Sequence, residues 1–433
     1  MNIIFKGLIA GTFLAGSLAP AVMAGDVTLI HAGELLVIPG ATPLKDQTIV
    51  IEDGKITAVR DGFVAASEFG ETTKTIDLKT SFVMPGLMDM HVHLGGELGN
   101  KNEKDFVKLE KTEMAFRSAV YAKRTLLAGF TTVRDLGGEP KISFALRNSI
   151  VKGWVDGPRI IAAGFSVAAT GGHGDVSGMN IDLMESNTSK TICDGVEDCR
   201  RAVRQAVKDG ADVIKITATG GVLSETNTGT AQQMTDDEMK EIMATAHALG
   251  RKVAAHAHAA DGINAALRAG VDSIEHGSYA DAESIKLFKK TGAYLVPTLL
   301  AGDTVVAMAK NTNILPPVIA AKAIRVGGDM MEHFTVAYKK GVKIAFGTDS
   351  GVSKHGTNAE EAILMHKAGM SEMEILKSAT VSAADLIGMS DSLGTLEVGK
   401  QADIIAMDAS PLSDIKELLS VDFVMKGGKV YKD

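Results

Sequence analysis

Between residues 80 and 390 the chain alternates short apolar runs with longer amphipathic segments, and this alternation restricts the fold more than any other feature. The strand-like runs are SFVMPGLMDMHVH, TTVRDL, RIIAAG, DVIKITAT, KVAAHAHA, SIEHGS, AYLVPTL and KIAFGTDS. Helical patterns such as TEMAFRSAVYAKRTLLAG, TDDEMKEIMATAHALG and NAEEAILMHKAG lie between them. In MTDDEMKE, Thr235 followed three residues later by Glu238 is a helix-capping signature. Eight strands, each followed by a helix or by room for one, is the count of a (β/α)8 TIM barrel, an α/β fold. A doubly wound open sheet would also alternate, but no G-x-G-x-x-G fingerprint follows the first strand.

The two ends of the chain read differently. QTIVIEDGKITAVRDG is two β-rich runs joined at Asp53-Gly54, and DFVMKGGKVY repeats the design around Gly427-Gly428. Residues 25–79 and 391–433 are therefore expected to form one small β-sandwich domain built from both termini, with the barrel over 80–390. Residues 1–24 carry Lys6, an apolar stretch and small residues up to Ala24, the layout of a signal peptide cleaved after Ala24. The expected location is the periplasm or the exterior, with no membrane attachment after cleavage. Cys193 and Cys199 in TICDGVEDCRR suit an oxidising compartment. They could close a small disulfide or stand as free thiols on a loop. A metal site is the least supported option, since no other Cys or His is near in sequence.

Barrel active sites lie at the C-terminal ends of the strands, and the unusual polar residues of this chain gather there. His91 and His93 end the first strand, Lys215 lies in the fourth, His256 and His258 end the fifth, His276 follows in the sixth and Asp349 in the eighth. Side chains in a strand alternate faces, so His91 and His93 point the same way, as do His256 and His258. In DVIKITAT, Ile214 and Ile216 suit the helix-packed outside, which leaves Lys215 facing the lumen. A lysine there is costly unless paired or neutralised. Reaction of its amine with CO2 would turn the cation into a carboxylate-like anion able to bridge two metal ions, with imidazoles and a carboxylate completing the set.

At these residues the sequence resembles the amidohydrolase superfamily, in particular its prolidase-like branch, over nearly all of the chain beyond residue 24. MPGLMDMHVHL, TTVRDLGG, VIKITATGG, AAHAHA, IEHGS and FGTDSGV carry the resemblance. It implies that His91, His93 and Asp349 bind one divalent metal ion and His256 and His276 a second, with carboxylated Lys215 between them. Spacing alone does not choose between His256 and His258. Every ligand position that the resemblance implies is filled. It further implies that Asp349 carries the proton from the attacking water to the leaving amine, with His258 helping to stabilise the oxyanion. Zinc is the expected metal from the ligand types and the resemblance, although manganese or cobalt would also serve.

The remaining candidates are fewer. His173, in the glycine-rich ATGGHGD, is placed either to meet substrate or as a loop histidine; His355, in SGVSKHGTNAEE, is a further substrate-contact candidate. Asn358 and Glu361 read as a helix cap, and Glu275 and Arg134 as structural charges. His31, His247, His333 and His366 have no supporting context. With a net charge of −8 and no basic stripe, nucleic acid is not an expected partner. The expected substrate is a small molecule, and the resemblance implies a homo-oligomer. The leading expectation is a metal-dependent peptidase that releases a C-terminal amino acid from dipeptides or short peptides. The alternatives are an amidase on N-acyl amino acids, including ochratoxin A-like aryl amides, a cyclic amide or lactone hydrolase, and a non-catalytic binding or scaffold protein.

Overall fold

The structure is a computed structural model and describes residues 27–98, 105–224, 229–311 and 315–433. The expected signal peptide lies outside the described residues. Fifteen strands are present among them: β1 (Thr28–Leu35), β2 (Leu44–Glu52), β3 (Lys55–Asp61), β4 (Lys74–Pro85), β5 (Leu87–Val92), β6 (Phe130–Asp135), β7 (Arg159–Ala162), β8 (Val213–Thr217), β9 (Lys252–Ala257), β10 (Ser273–His276), β11 (Tyr294–Val296), β12 (Lys343–Ile344), β13 (Ile404–Met407), β14 (Phe423–Lys426) and β15 (Lys429–Lys432). No helix among the described residues is long and apolar enough to cross a membrane.

Both ends of the chain enter a single seven-stranded sheet, in the order β15-β14-β13-β4-β1-β2-β3. The expected sandwich is corrected here: the strands form one hydrogen-bonded sheet, not two. The reason is β4, which pairs in parallel with β1 on one side and antiparallel with β13 on the other. The sheet nevertheless turns back on itself. Asp53 and Gly54 have φ of 49° and 75°, and Gly427 and Gly428 have φ of 55° and 78°, the backbone of a two-residue I′ hairpin. The two hairpin tips touch: a Cβ on Gly428 would lie 2.7 Å from Gly54 Cα, and one on Gly54 would lie 2.5 Å from the Gly427 carbonyl oxygen. Only glycine permits that approach. Ile30, Ile49, Ile56, Ile404 and Phe423, drawn from both ends of the chain, then share one apolar cluster.

The middle of the chain forms two parallel arcs, β5-β6-β7 and β8-β9-β10-β11-β12. Where a closed barrel was expected, both seams between the arcs are made by short bridges instead of continuous ladders. Val167 bridges to Ile216, and Val92 to Ser350. The second seam is reinforced by Met90 N to Phe346 O at 2.8 Å, Asp349 N to His91 O at 2.7 Å and His93 N to Ser350 O at 2.7 Å. That seam fixes the backbone of two histidines and an aspartate against each other. Strands buried on both faces explain the near-continuous apolar runs in the sequence. The expected cap forms: Thr235 and Glu238 make a reciprocal capping box on the helix Asp236–Ala248.

Cys193 and Cys199 are disulfide-bonded and buried, which settles the three alternatives the sequence left open. The bridge staples a loop that supports the strand-end region: Cys193 N donates to Ala168 O at 2.9 Å, and Thr191 Oγ1 to Ser166 O at 2.8 Å. Closing a loop of this size stabilises by about 2 kcal/mol in the chain-entropy picture. The double variant Cys193→Ser/Cys199→Ser is expected to lower the unfolding free energy by about that amount, measured by urea titration. An unchanged midpoint would show that the loop is held by its hydrogen bonds alone.

Candidate metal and active site

Two groups of side chains converge at the strand ends: His91, His93 and Asp349, and His256, His258 and His276. In the first group the outer hydrogen bonds decide the chemistry. His91 Nδ1 lies 2.9 Å from Glu275 Oε2, and His93 Nδ1 lies 2.8 Å from the Gly137 carbonyl oxygen. A carboxylate or a carbonyl can only accept, so both rings place their proton on Nδ1 when neutral. Both Nε2 lone pairs then face inward, 3.3 Å apart. Asp349 Oδ1 joins them at 3.6 Å from His91 Nε2 and 3.2 Å from His93 Nε2. Three acceptors brought together at this partly buried place repel one another, and a cation among them relieves that fully. The donor set therefore fits a divalent metal ion.

The second group adjoins the first, with the His91 and His276 rings 5.2 Å apart. His258 Nδ1 is 2.7 Å from Ser278 Oγ, and His276 Nδ1 is 2.7 Å from Thr298 Oγ1. Burial, and then the neighbouring histidines, hold His256 and His276 well below the ordinary imidazole range. Burial also lowers His91 to about 4 and His258 to about 3. All four are neutral near pH 7, the form that ligates metal. Lys215 is buried beside them, and its Nζ has no hydrogen-bond partner among the described residues. Burial pushes it down to about 8, against Glu275 and Asp349, which raise it.

Residues behind the ligands hold them in place, and sequence reading missed most of them. Glu275, fully buried, accepts from His91 on one oxygen and from Arg134 Nη2 (2.9 Å) and Ser273 Oγ (2.5 Å) on the other. Burial would raise its pKa, but Arg134 and His91 hold it at about 2. Glu275 and Arg134 are structural charges as expected, yet the structure they maintain is the tautomer of a ligand. Asp89 ties two strands together: Oδ1 accepts from the amides of His91 (3.0 Å) and Thr348 (3.1 Å), and Oδ2 from Thr348 Oγ1 and Asn358 Nδ2 (both 2.7 Å). Asn358 and Glu361 are therefore not the expected local cap. Glu361 instead accepts from the amides of Leu299 (2.9 Å) and Leu300 (2.6 Å) at the start of the helix Leu299–Asn311. That helix follows Thr298, the partner of His276. His276, Thr298 and Asp349 all have positive φ (71°, 51° and 57°), strained for residues other than glycine and held here by these anchors.

Both groups line a cavity of about 490 Å3, together with Lys215, Thr217 and His173. Its far walls are mostly aliphatic, including Val222, Leu223, Val305, Val326 and Met330. His173 lies with its ring centroid 4.3 Å from that of His256. Its ring packs flat on Gly221, where a Cβ would come within 2.3 Å of it. Buried Lys322 fixes the same loop by donating to Gly221 O (3.0 Å) and Ser224 O (2.6 Å). His355 stands behind the cavity-lining Gly96. Its Nε2 bonds the Gly96 carbonyl at 2.8 Å, and its ring stacks on Tyr121 at 4.6 Å, so it supports a lining loop. Among the residues read as ordinary, His31 and His247 bond Val64 O and Asp272, both away from the cavity.

Comparison with known proteins agrees with this geometry. The amidohydrolase family model matches residues 82–431. The chain is 34% identical over 427 residues to ochratoxinase of Aspergillus niger, covering 94% of this chain and 87% of that protein. The crystal structure of that enzyme superposes with a TM-score of 0.81. A crystal structure of a Xaa-Pro dipeptidase with methionine bound in the active site superposes at TM-score 0.89 and 41% identity, covering 94% of this chain and 100% of that one. A prolidase complexed with N-methylphosphonate-L-proline superposes at TM-score 0.83 and 31% identity, with 94% and 100% covered.

Two expectations follow from the geometry. Glu275→Gln removes the charge that fixes His91, and outer partners of this kind typically govern about 10–100-fold in metal affinity. Chelator competition is expected to show that loss, and an unchanged affinity would remove Glu275 from the account. The second concerns pH. The unfolded chain restores these histidines to about 6.5, while the folded chain keeps His91 and His173 near 4. Between those values the unfolded state binds protons that the folded state does not. The histidines' contribution to the stability of metal-free protein should therefore fall as pH drops from about 6.5 towards 4, offset in part by Asp89, Asp135 and Glu361, which burial raises to about 6, 6 and 8; a falling melting temperature is expected.

Proposed function

The chain belongs to the amidohydrolase family and is a hydrolase acting on amide bonds, and within that family we propose that it is a two-metal enzyme that releases a C-terminal amino acid from dipeptides or short peptides. The observation that carries this reading is the convergence of two histidine groups on a cavity that also holds a buried lysine amine without a hydrogen-bond partner among the described residues. In this reading the two arcs act as one eight-stranded barrel. His91, His93 and Asp349 would hold one ion, and His256 and His276 the other. Lys215 would bridge them as a carbamate: its depressed pKa leaves a fraction of the amine uncharged and able to react with CO2. Zinc suits the nitrogen and oxygen donors. The two disulfide-bonded cysteines support, in addition, an exported protein.

Bound divalent cations supply Lewis-acid polarisation of a carbonyl and a water that ionises near neutral pH. The remaining work falls to side chains of this chain. Asp349 sits between the two first-group histidines and is the base that takes a proton from water and returns it to the leaving nitrogen. To donate to a developing oxyanion, His258 must carry its proton on Nε2. Its Nδ1 then accepts from the Ser278 hydroxyl, which lies at the right distance for that role. The aliphatic walls exclude water and accept an apolar acyl group or side chain.

A second reading is comparably supported: amide hydrolysis of N-acyl amino acids of the ochratoxin type. It draws on the identity with ochratoxinase along nearly the whole chain and on the apolar walls of the cavity. One experiment addresses both. Amino-acid release would be followed with zinc-reloaded enzyme on dipeptides and N-acyl amino acids that vary in their C-terminal residue. Release from dipeptides is expected, and release confined to N-acyl or aryl-acyl substrates would favour the second reading. Silence on every substrate with metal bound would defeat both. Asp349→Asn is expected to lower turnover by about 1,000-fold, in the range of a lost acid–base group, while folded structure is kept; full turnover would remove it from the proton path.

A further inference from the structure

We propose that Arg117 is the specificity-determining residue that takes the free α-carboxylate of the amino acid on the leaving side of the amide, an inference that rests on the function proposed above. A substrate that releases a C-terminal amino acid carries an anion close to the scissile bond, and an apolar cavity must offer it a cation. Among the described residues the cations on the cavity wall, beyond the histidines, are Lys215 and Arg117. Lys215 is buried among the candidate metal ligands and is committed to them. Val222, Val305 and Met330 on the wall are apolar, and the Lys322 amine behind Val222 is taken up by the Gly221 and Ser224 carbonyls. Arg117 stands apart on the helix Lys111–Leu127, whose inner side is anchored by buried Ser118, Tyr121 and Ala122.

The state of the guanidinium supports that role. Nη1 pairs with Asp105, also on the cavity wall, and the group lies 5.9 Å from the centroid of the Tyr121 ring. Nε is buried and has no hydrogen-bond partner among the described residues. An arginine with one edge occupied and a buried donor unmet has more to gain from a second carboxylate than a fully paired one. Its side chain remains 22% exposed, so solvent screens the Asp105 pair in part. The planar fork then favours a carboxylate over a neutral amide, because only the anion accepts two charge-assisted hydrogen bonds.

The test compares an N-acyl amino acid with its primary amide, in which the scissile bond is unchanged and the anion is gone. Wild-type enzyme reloaded with zinc is expected to favour the acid by about 10–100-fold in kcat/KM, the span of hydrogen bonds to a charged group, mostly through KM. In Arg117→Gln the acid-to-amide ratio should fall close to one, while Asp105→Asn should keep the wild-type ratio. If Arg117→Gln does not fold, Arg117→Lys gives the same decision, with a preference reduced several-fold because the fork is lost. An unchanged ratio in the Arg117 variants overturns the inference, as does equal wild-type turnover of acid and amide, and in both cases the proposed function stands. Turnover of neither substrate by wild-type enzyme overturns the proposed function itself.

Discussion

The site depends on one arrangement that is unfavourable by itself: imidazole nitrogens stripped of their protons, and a carboxylate oxygen, turned towards one another in a buried space. The internal relief is partial: burial lowers the His93 pKa, but Asp349 beside it raises it overall. His91 and His93 each keep a proton on Nδ1 and donate it outward, to Glu275 and to the Gly137 carbonyl, so the inward nitrogens are acceptors. The second histidine group repeats the crowding with ring centroids 4.6–4.9 Å apart. Burial, and then the neighbouring histidines, hold His256 and His276 low, so protonation is not available to them as an escape near neutral pH. A cation is the simplest species that satisfies the inward acceptors of His91, His93 and Asp349 together.

Much of the surrounding fold serves to hold that arrangement against its own repulsion. Asp89 locks the His91 backbone to that of Thr348, next to Asp349. Glu361 clamps the first amides of the helix that begins beside Thr298, and Thr298 holds His276. Three non-glycine residues in left-handed backbone at this one site, at order 1–3 kcal/mol each, indicate that the surrounding contacts override local preference. Buried Asp89 and Glu361 each accept several hydrogen bonds, which is the condition for keeping such carboxylates inside a protein.

How much of this was legible in the sequence follows from the range of each interaction. The paired histidines could be placed because strand alternation is local, and His91 with His93, and His256 with His258, do share a side. The alternation of strands and helices, the capping box at Thr235 and both hairpin turns were legible for the same reason. What failed was non-local. Asn358 and Glu361 looked like a cap because their neighbours in sequence allow it, yet their partners Asp89 and Leu299 lie 269 and 62 residues away. The sandwich became one sheet because β4 pairs on both edges, which no local pattern reveals. Asp89 was within reach, since the two-residue period that pairs His91 with His93 also includes it. His276 obeyed no alternation rule, because its positive φ turns it out of the strand pattern.

The central claim is that these converging acceptors are a cation site, and metal content tests it most directly. Protein stripped with a chelator, reloaded with zinc and freed of excess would be analysed for metal per chain by atomic spectroscopy. About two ions per chain are predicted, one for each histidine group, as expected of a two-metal hydrolase. Protein that stays folded through reloading and holds no metal would contradict the account, because the inward-facing nitrogens would then need another explanation.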